Sequence, residues 1–114
     1  MRVLLIEKNI YLANSLLINF EMNNFFVTHK EEITSEIFEE IFNYDICILD
    51  NSIEDGLYTT SNFLKTIKEL GNNIPIIISS SFLNFKEILM YLHEGCIDYI
   101  HKPFSFEELQ LRIH

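Results

Sequence analysis

Three observations predict a parallel, doubly wound α/β domain for this 114-residue chain. Five short, mostly apolar runs have the length and composition of strands buried on both faces. Each run is followed by a segment whose apolar residues recur at three- and four-residue spacing, the mark of a helix with one covered side. The connections are short, with no internal repeat, low-complexity stretch or linker. Strand and helix therefore alternate as βαβ units in one domain, large enough to bury a core without cross-links.

The elements follow in order. Arg2-Val3-Leu4-Leu5-Ile6 is the first strand, ending at Glu7-Lys8-Asn9. Leu12, Ala13, Leu16, Leu17 and Phe20 stripe the first helix. After the Asn23-Asn24 turn, Phe25-Phe26-Val27-Thr28 forms the second strand. From about Thr34 to Phe42, Ile37, Phe38, Ile41 and Phe42 are expected to face inward, with Glu36, Glu39 and Glu40 on a solvated face. Tyr44 to Asp50 is the third strand, bounded by the loop Asn51 to Gly56. A third helix runs from about Tyr58 to Leu70, striped by Phe63, Leu64, Ile67 and Leu70, with Gly71 at the left-handed cap position. Pro75 opens the fourth strand, Ile76-Ile77-Ile78, and its polar exit Ser79-Ser80-Ser81. Phe85, Ile88, Leu89 and Leu92 are expected to cover the inner face of a fourth helix closed by Gly95. Ile97-Asp98-Tyr99-Ile100 is the fifth strand. Ser105 with Glu108 three residues on reads as a capping box for a fifth helix striped by Phe106, Leu109 and Ile113. That helix is expected to continue past His114.

Composition excludes several functions. A formal charge of −9 disfavours direct binding of nucleic acid by this segment, because phosphate contacts need a Lys/Arg patch. No apolar run approaches membrane-spanning length and Met1 leads directly into a strand, so no membrane role and a cytoplasmic location are expected. Cys47 and Cys96 suggest buried structural thiols rather than a disulfide framework. His29, His93, His101 and His114 form no metal-ligand spacing.

In a parallel sheet the site lies outside the carboxyl ends of the strands. The polar residues there are Glu7 and Lys8, Asp50, Ser80 and Ser81, and Lys102. Asp50 is a carboxylate suited to accept a phosphoryl group. The hydroxyl and the Lys102 ammonium suit phosphoryl oxygens, and clustered carboxylates suit Mg²⁺. A flavin-binding carrier on a similar sheet is a weaker reading, since Glu7 to Tyr11 lacks the Ser/Thr/Gly run that cradles a phosphate.

These strand ends resemble those of the receiver domain of two-component response regulators, over essentially the whole chain. The resemblance rests on Leu-Leu-Ile-Glu7, Ile-Leu-Asp50, Pro75 to Ser81, and Asp98-Tyr99-Ile-His-Lys102-Pro103-Phe104. It implies a five-stranded parallel sheet, doubly wound, in flavodoxin-like order 2-1-3-4-5, with a cis peptide before Pro103. It also implies Asp50 as phosphoacceptor, Ser80 as switch hydroxyl, Tyr99 as the rotating aromatic and Lys102 as the family lysine. Glu7, Asp50 and the backbone carbonyl of Ser52 would be the Mg²⁺ ligands. Phe104 to Leu109 resembles the subgroup carrying a C-terminal winged-helix DNA-binding domain, so residues 1–114 read as the regulatory part of a longer transcription factor. DNA would be reached only through that further domain. Arg2 to Asn9 is similar to the opening of orphan regulators of epsilonproteobacteria.

Two departures stand out. Lys8 occupies the position of a Mg²⁺-binding aspartate, which exchanges an oxygen ligand for a cation. Its ammonium is expected to replace the metal beside Asp50 and Glu7; the alternative is a stem lying along the surface. The loop after Asp50 is also shorter than usual. Both changes weaken the expected Mg²⁺ site and point to output with little dependence on phosphorylation. A conventional acceptor taking its phosphoryl group from a histidine kinase is the competing reading. The resemblance further implies a twofold dimer through the fourth helix, fifth strand and fifth helix. Lys86, Asp98, Glu108 and Arg112 lie there, and more apolar character than is common is expected from Ile88, Met90 and Tyr91, unless Met90 and Tyr91 only complete the core.

Overall fold

The computed structural model describes residues 1–51, 58–82 and 84–114. Five parallel strands, β1 (Arg2–Ile6), β2 (Phe26–Lys30), β3 (Ile46–Asp50), β4 (Ile76–Ser80) and β5 (Asp98–His101), form one sheet in the order β2-β1-β3-β4-β5. Between and after them come α1 (Ile10–Met22), α2 (Ser35–Glu40), α3 (Thr60–Glu69), α4 (Phe85–Glu94) and α5 (Phe106–Ile113). The expected sheet and strand order are observed.

Alternation along the strands divides the core into two layers, because successive side chains of a strand point to opposite faces. Val3, Leu5, Ile48 and Ile77 pack with Leu16, Phe20 and Leu109 under α1 and α5. Leu4, Ile6, Leu49 and Ile78 pack with Ile37, Ile41, Phe63 and Leu64 under α2 and α3. Edge-to-face rings knit the first layer: Phe20 meets Phe25 at 5.2 Å and Phe106 at 5.0 Å between centroids. Cys47 and Cys96 are buried in the second layer as free thiols, as the sequence predicts.

Local signals fix the helix ends: Ser105 caps α5 as expected, and three further caps were not anticipated. The side chains of Asn9, Thr59, Asn84 and Ser105 each accept a backbone N–H in the first turn of α1, α3, α4 and α5. Gly71, at φ +72°, follows α3 in the left-handed conformation that favours a residue without a Cβ. The Lys102–Pro103 peptide is cis, as the resemblance implies.

Three helical expectations need correction. Phe42 is exposed, because α2 ends at Glu40 and a tight turn, Ile41–Asn43, buries Ile41 instead. Leu70 is exposed just beyond α3. On α4 the buried residue is Tyr91, with Ile88 half-buried, while Phe85, Leu89 and Leu92 face outward. The covered side thus lies about 100° around the helix from the predicted one, a rotation of one residue. Apolar residues occur on both sides of α4, so periodicity alone does not select the one that packs. Among the strands, β2 begins one residue later than Phe25 and extends to Lys30, and Ile97 is exposed ahead of β5.

Candidate functional site

Parallel strands deliver their carboxyl ends to one rim of the sheet, and here they bring together Glu7, Asp50, Ser80 and Lys102. These residues line a cleft of about 490 Å³ whose mouth includes Asn9, Phe82 and Glu87. A larger groove, about 750 Å³, opens at the opposite end beside Phe26 and Tyr44, and contains none of them. Convergent polar chemistry, rather than size, identifies the site.

Glu7 and Asp50 are each 1% exposed. Burying two carboxylates is costly unless a cation and hydrogen bonds compensate them. The compensating cation is the Lys102 ammonium, 2.9 Å from Glu7 Oε1, 3.1 Å from Glu7 Oε2 and 3.1 Å from Asp50 Oδ1. Backbone donors add to it: the Asn9 N–H reaches Glu7 Oε2 at 3.0 Å and the Lys8 N–H reaches Asp50 Oδ2 at 3.2 Å. Burial, and then the hydrogen bond with the Asp50 carboxyl, push Glu7 above the ordinary carboxylate range; Lys102 and the Asn9 N–H pull it partly back.

Lys102 is placed by two constraints. Its own N–H donates to the Ser80 carbonyl at 2.9 Å, extending the β4–β5 ladder past the strands, and the following Pro103 turns the chain away. Ser80 lies at the end of β4, where its Oγ accepts the Phe82 N–H at 3.1 Å and thereby shapes the turn into α4. Lys8 is an exposed residue whose backbone takes part in the site; the ammonium between Glu7 and Asp50 is that of Lys102. Tyr99 is half-buried on β5 against the core layer that includes Tyr91 and Cys96. Ser79 is buried and Ser81 exposed. Ser52, and with it the expected carbonyl ligand and shortened loop, lies outside the described residues.

On the α4-β5-α5 face, Arg112 donates to Asp98 at 2.9 Å and stands 3.5 Å from Glu108, so these three charges are paired within one chain, while the buried Arg112 Nε has no hydrogen-bond partner among the described residues. Lys86 is exposed on α4. Phe85, Leu89, Met90 and Leu92 leave a broad apolar surface on that helix. Met90 thus adds to the exposed face, whereas Tyr91 completes the core.

Sequence reasoning missed several supporting residues. Asn9 was legible as a helix N-cap, since an Asn precedes the periodic run of α1. The hydrogen bond from Thr60 Oγ1 to Asn51 Oδ1, 2.6 Å, joins the residue after Asp50 to the first turn of α3. No local pattern signals that contact, nor the 2.8 Å hydrogen bond from His29 Nε2 to the Glu7 carbonyl.

Comparison with known proteins agrees with this architecture. Residues 3–114 match the model of the response regulator receiver domain. The cell cycle response regulator CtrA of Brucella ovis is 33% identical over 116 aligned positions, covering all of this chain and 49% of that protein. The chain thus spans about half the length of the curated relatives it matches. Among solved structures, the receiver domain of the Francisella response regulator 1452 superposes with a TM-score of 0.85 at 27% identity, over 98% of this chain and 92% of that one. HP1043, an orphan response regulator of H. pylori, gives 0.81 at 30% identity, over 99% and 92%. Among the described residues, no helix is long and apolar enough to cross a membrane.

Proposed function

Since the chain belongs to the response regulator receiver family, we propose that it is the regulatory domain of a transcription regulator working through conformation and self-association, with little dependence on phosphorylation of Asp50. One observation carries this reading. The Lys102 ammonium engages both buried carboxylates, while the second acidic position after β1 is Lys8. Glu7 and Asp50 against Lys8 and Lys102 sum to zero formal charge at the strand ends.

That donor set fits Mg²⁺ poorly. The ion takes a tight octahedral shell of oxygens and is drawn by uncompensated negative charge. The two carboxylates buried at the strand ends are both bonded to an ammonium, and the third carboxyl of the described cleft, Glu87, lies at its mouth on α4. Without the divalent cation, the Lys102 ammonium, already shared by Glu7 and Asp50, would have to offset repulsion between Asp50 and an incoming phosphoryl group. The chain's own residues supply a resting state instead: Lys102 ties β5 to β1 and β3, and Ser80 shapes the turn into α4. The relative named an orphan regulator is consistent with control that needs no partner kinase. Transcriptional output would require a further, DNA-binding domain, and the chain spans about half the length of the curated relatives it matches.

Self-association is assigned to the α4-β5-α5 face. Its apolar side chains supply the attraction, and the Asp98–Arg112–Glu108 set is already paired within the chain. Such a face suits a twofold dimer held more by burial than by ion pairs between copies.

The test is intact-protein mass after incubation with acetyl phosphate, with and without Mg²⁺, beside Asp50→Ala. No Mg²⁺-dependent adduct is expected. An adduct that requires both Mg²⁺ and Asp50 overturns the reading and restores the conventional acceptor fed by a histidine kinase. Lys8→Asp is expected to restore labelling; if it stays silent, the substitution at position 8 is not what disables the site.

A further inference from the structure

The β1–β2 ladder closes at Ile6 and Lys30, one residue before the Glu7 carbonyl. Ile6 pairs with Lys30, and the Glu7 N–H goes on to donate to the Lys30 carbonyl at 3.0 Å. In a parallel ladder the N–H and C=O of one residue face the same neighbour, so the Glu7 carbonyl also points towards β2. Its ladder partner would be the N–H two residues beyond Lys30, but β2 ends at Lys30 and the chain bends away at Glu31 and Glu32. A partly buried carbonyl without a donor is unfavourable. His29 fills the gap: its Nε2 lies 2.8 Å from that carbonyl oxygen. A carbonyl only accepts, so Nε2 carries the proton.

The Glu7 carbonyl and the Lys8 N–H belong to one planar peptide unit. Its other end donates to Asp50 Oδ2 at 3.2 Å. Because the peptide is trans, the two groups point in opposite directions, towards β2 on one side and β3 on the other, in keeping with the order β2-β1-β3.

We propose that His29 is a positioning residue for Asp50, acting through the Glu7–Lys8 peptide: its ring N–H fixes the plane that presents the Lys8 N–H to the Asp50 carboxylate. A donor on the carbonyl also polarises the N–H of the same peptide, since hydrogen bonds in a chain strengthen one another. The sheet edge thereby takes part in setting the Asp50 carboxylate, with no contact between His29 and Asp50 required. This role goes beyond the proposed function and is independent of whether Asp50 accepts a phosphoryl group.

Hydrogen exchange and NMR test it. In His29→Phe, exchange of the Lys8 amide relative to that of Ile6, two residues back on β1, is expected to rise about two- to tenfold, the span of one net hydrogen bond. The ratio removes any change in global stability, and the Lys8 amide proton is expected to move upfield. His29→Gln, which keeps an N–H donor, is expected to restore both readouts. An unchanged ratio and shift in His29→Phe overturn the proposal, as does His29→Gln behaving like His29→Phe. A third measurement needs no variant: at pH 8 the wild-type ring is expected in the Nε2–H tautomer, and an Nδ1–H ring overturns the assignment.

Discussion

Removing the Lys102 ammonium is the most direct test of how the strand ends are held. Lys102→Met keeps much of the side-chain stem and deletes the charge. Glu7 and Asp50 then remain as two carboxylates, each 1% exposed, that have lost their shared cation while keeping the Asn9 and Lys8 backbone donors. Breaking a buried ion pair by removing one partner costs about 3–5 kcal/mol. The lower end applies here, because the Lys102 side chain retains 15% exposure and one carboxyl can take up a proton. A loss of about 3 kcal/mol at pH 8 is expected, a large share of the ~5–15 kcal/mol typical of a domain. The pH dependence has a definite sign. Burial already raises Glu7 above its reference value of 4.5, and losing Lys102 removes a lowering contribution, so Glu7 rises further. The folded variant then binds more protons than the unfolded chain between pH 4.5 and that higher value, and its stability falls as pH rises through this window. Urea unfolding followed by circular dichroism at pH 5 and pH 8 measures both effects. Adding Glu7→Gln to Lys102→Met removes one stranded carboxylate and is expected to recover about 1–2 kcal/mol at pH 8, within the range of coupling between touching residues. A Lys102→Met domain as stable as wild type at pH 8, or a loss that does not shrink towards pH 5, refutes the account.

Two other predictions concern the layers around the site. Burial pushes the Cys96 thiol up to about 11 and Cys47 further still, so both stay protonated at pH 8. Alkylation of either by iodoacetamide in the folded protein is expected to be slower than for free cysteine by roughly two orders of magnitude, and fast in urea; labelling at the free rate without urea would show that this layer is open. Leu89→Asp places a charge in the exposed apolar face of α4 and, if that face joins two copies, weakens the dimer by about 2–3 kcal/mol, roughly 30- to 150-fold in the dissociation constant by sedimentation, with monomer stability nearly unchanged. Equal self-association of the two proteins removes that face from the interface.

Much of this molecule is legible locally. Strand runs such as Val3 to Ile6 and Ile46 to Leu49 announce burial on both faces, and the caps Asn9, Thr59 and Ser105 depend on residues three positions away. The four polar strand ends follow from the same logic: once the sheet is parallel, every strand must release the polar residues at its carboxyl end at one rim, where Glu7, Asp50, Ser80 and Lys102 converge. Other features depend on what an element meets. The covered side of α4 turned on its neighbours, since Tyr91 and Leu89 are both plausible core residues until the helix is set down. The sequence offered Lys8 for the place beside Glu7 and Asp50 and Lys102 for phosphoryl oxygens; the ladder beyond β4 and β5 is what brings the Lys102 ammonium between the two carboxylates. His29 has no signature in its own segment, because its role arises where the β1–β2 ladder closes at Ile6 and Lys30 and leaves the Glu7 carbonyl beyond it. Periodicity and capping are written within a few residues of chain; the rotation of a helix and the partner of a last carbonyl are properties of distant segments meeting.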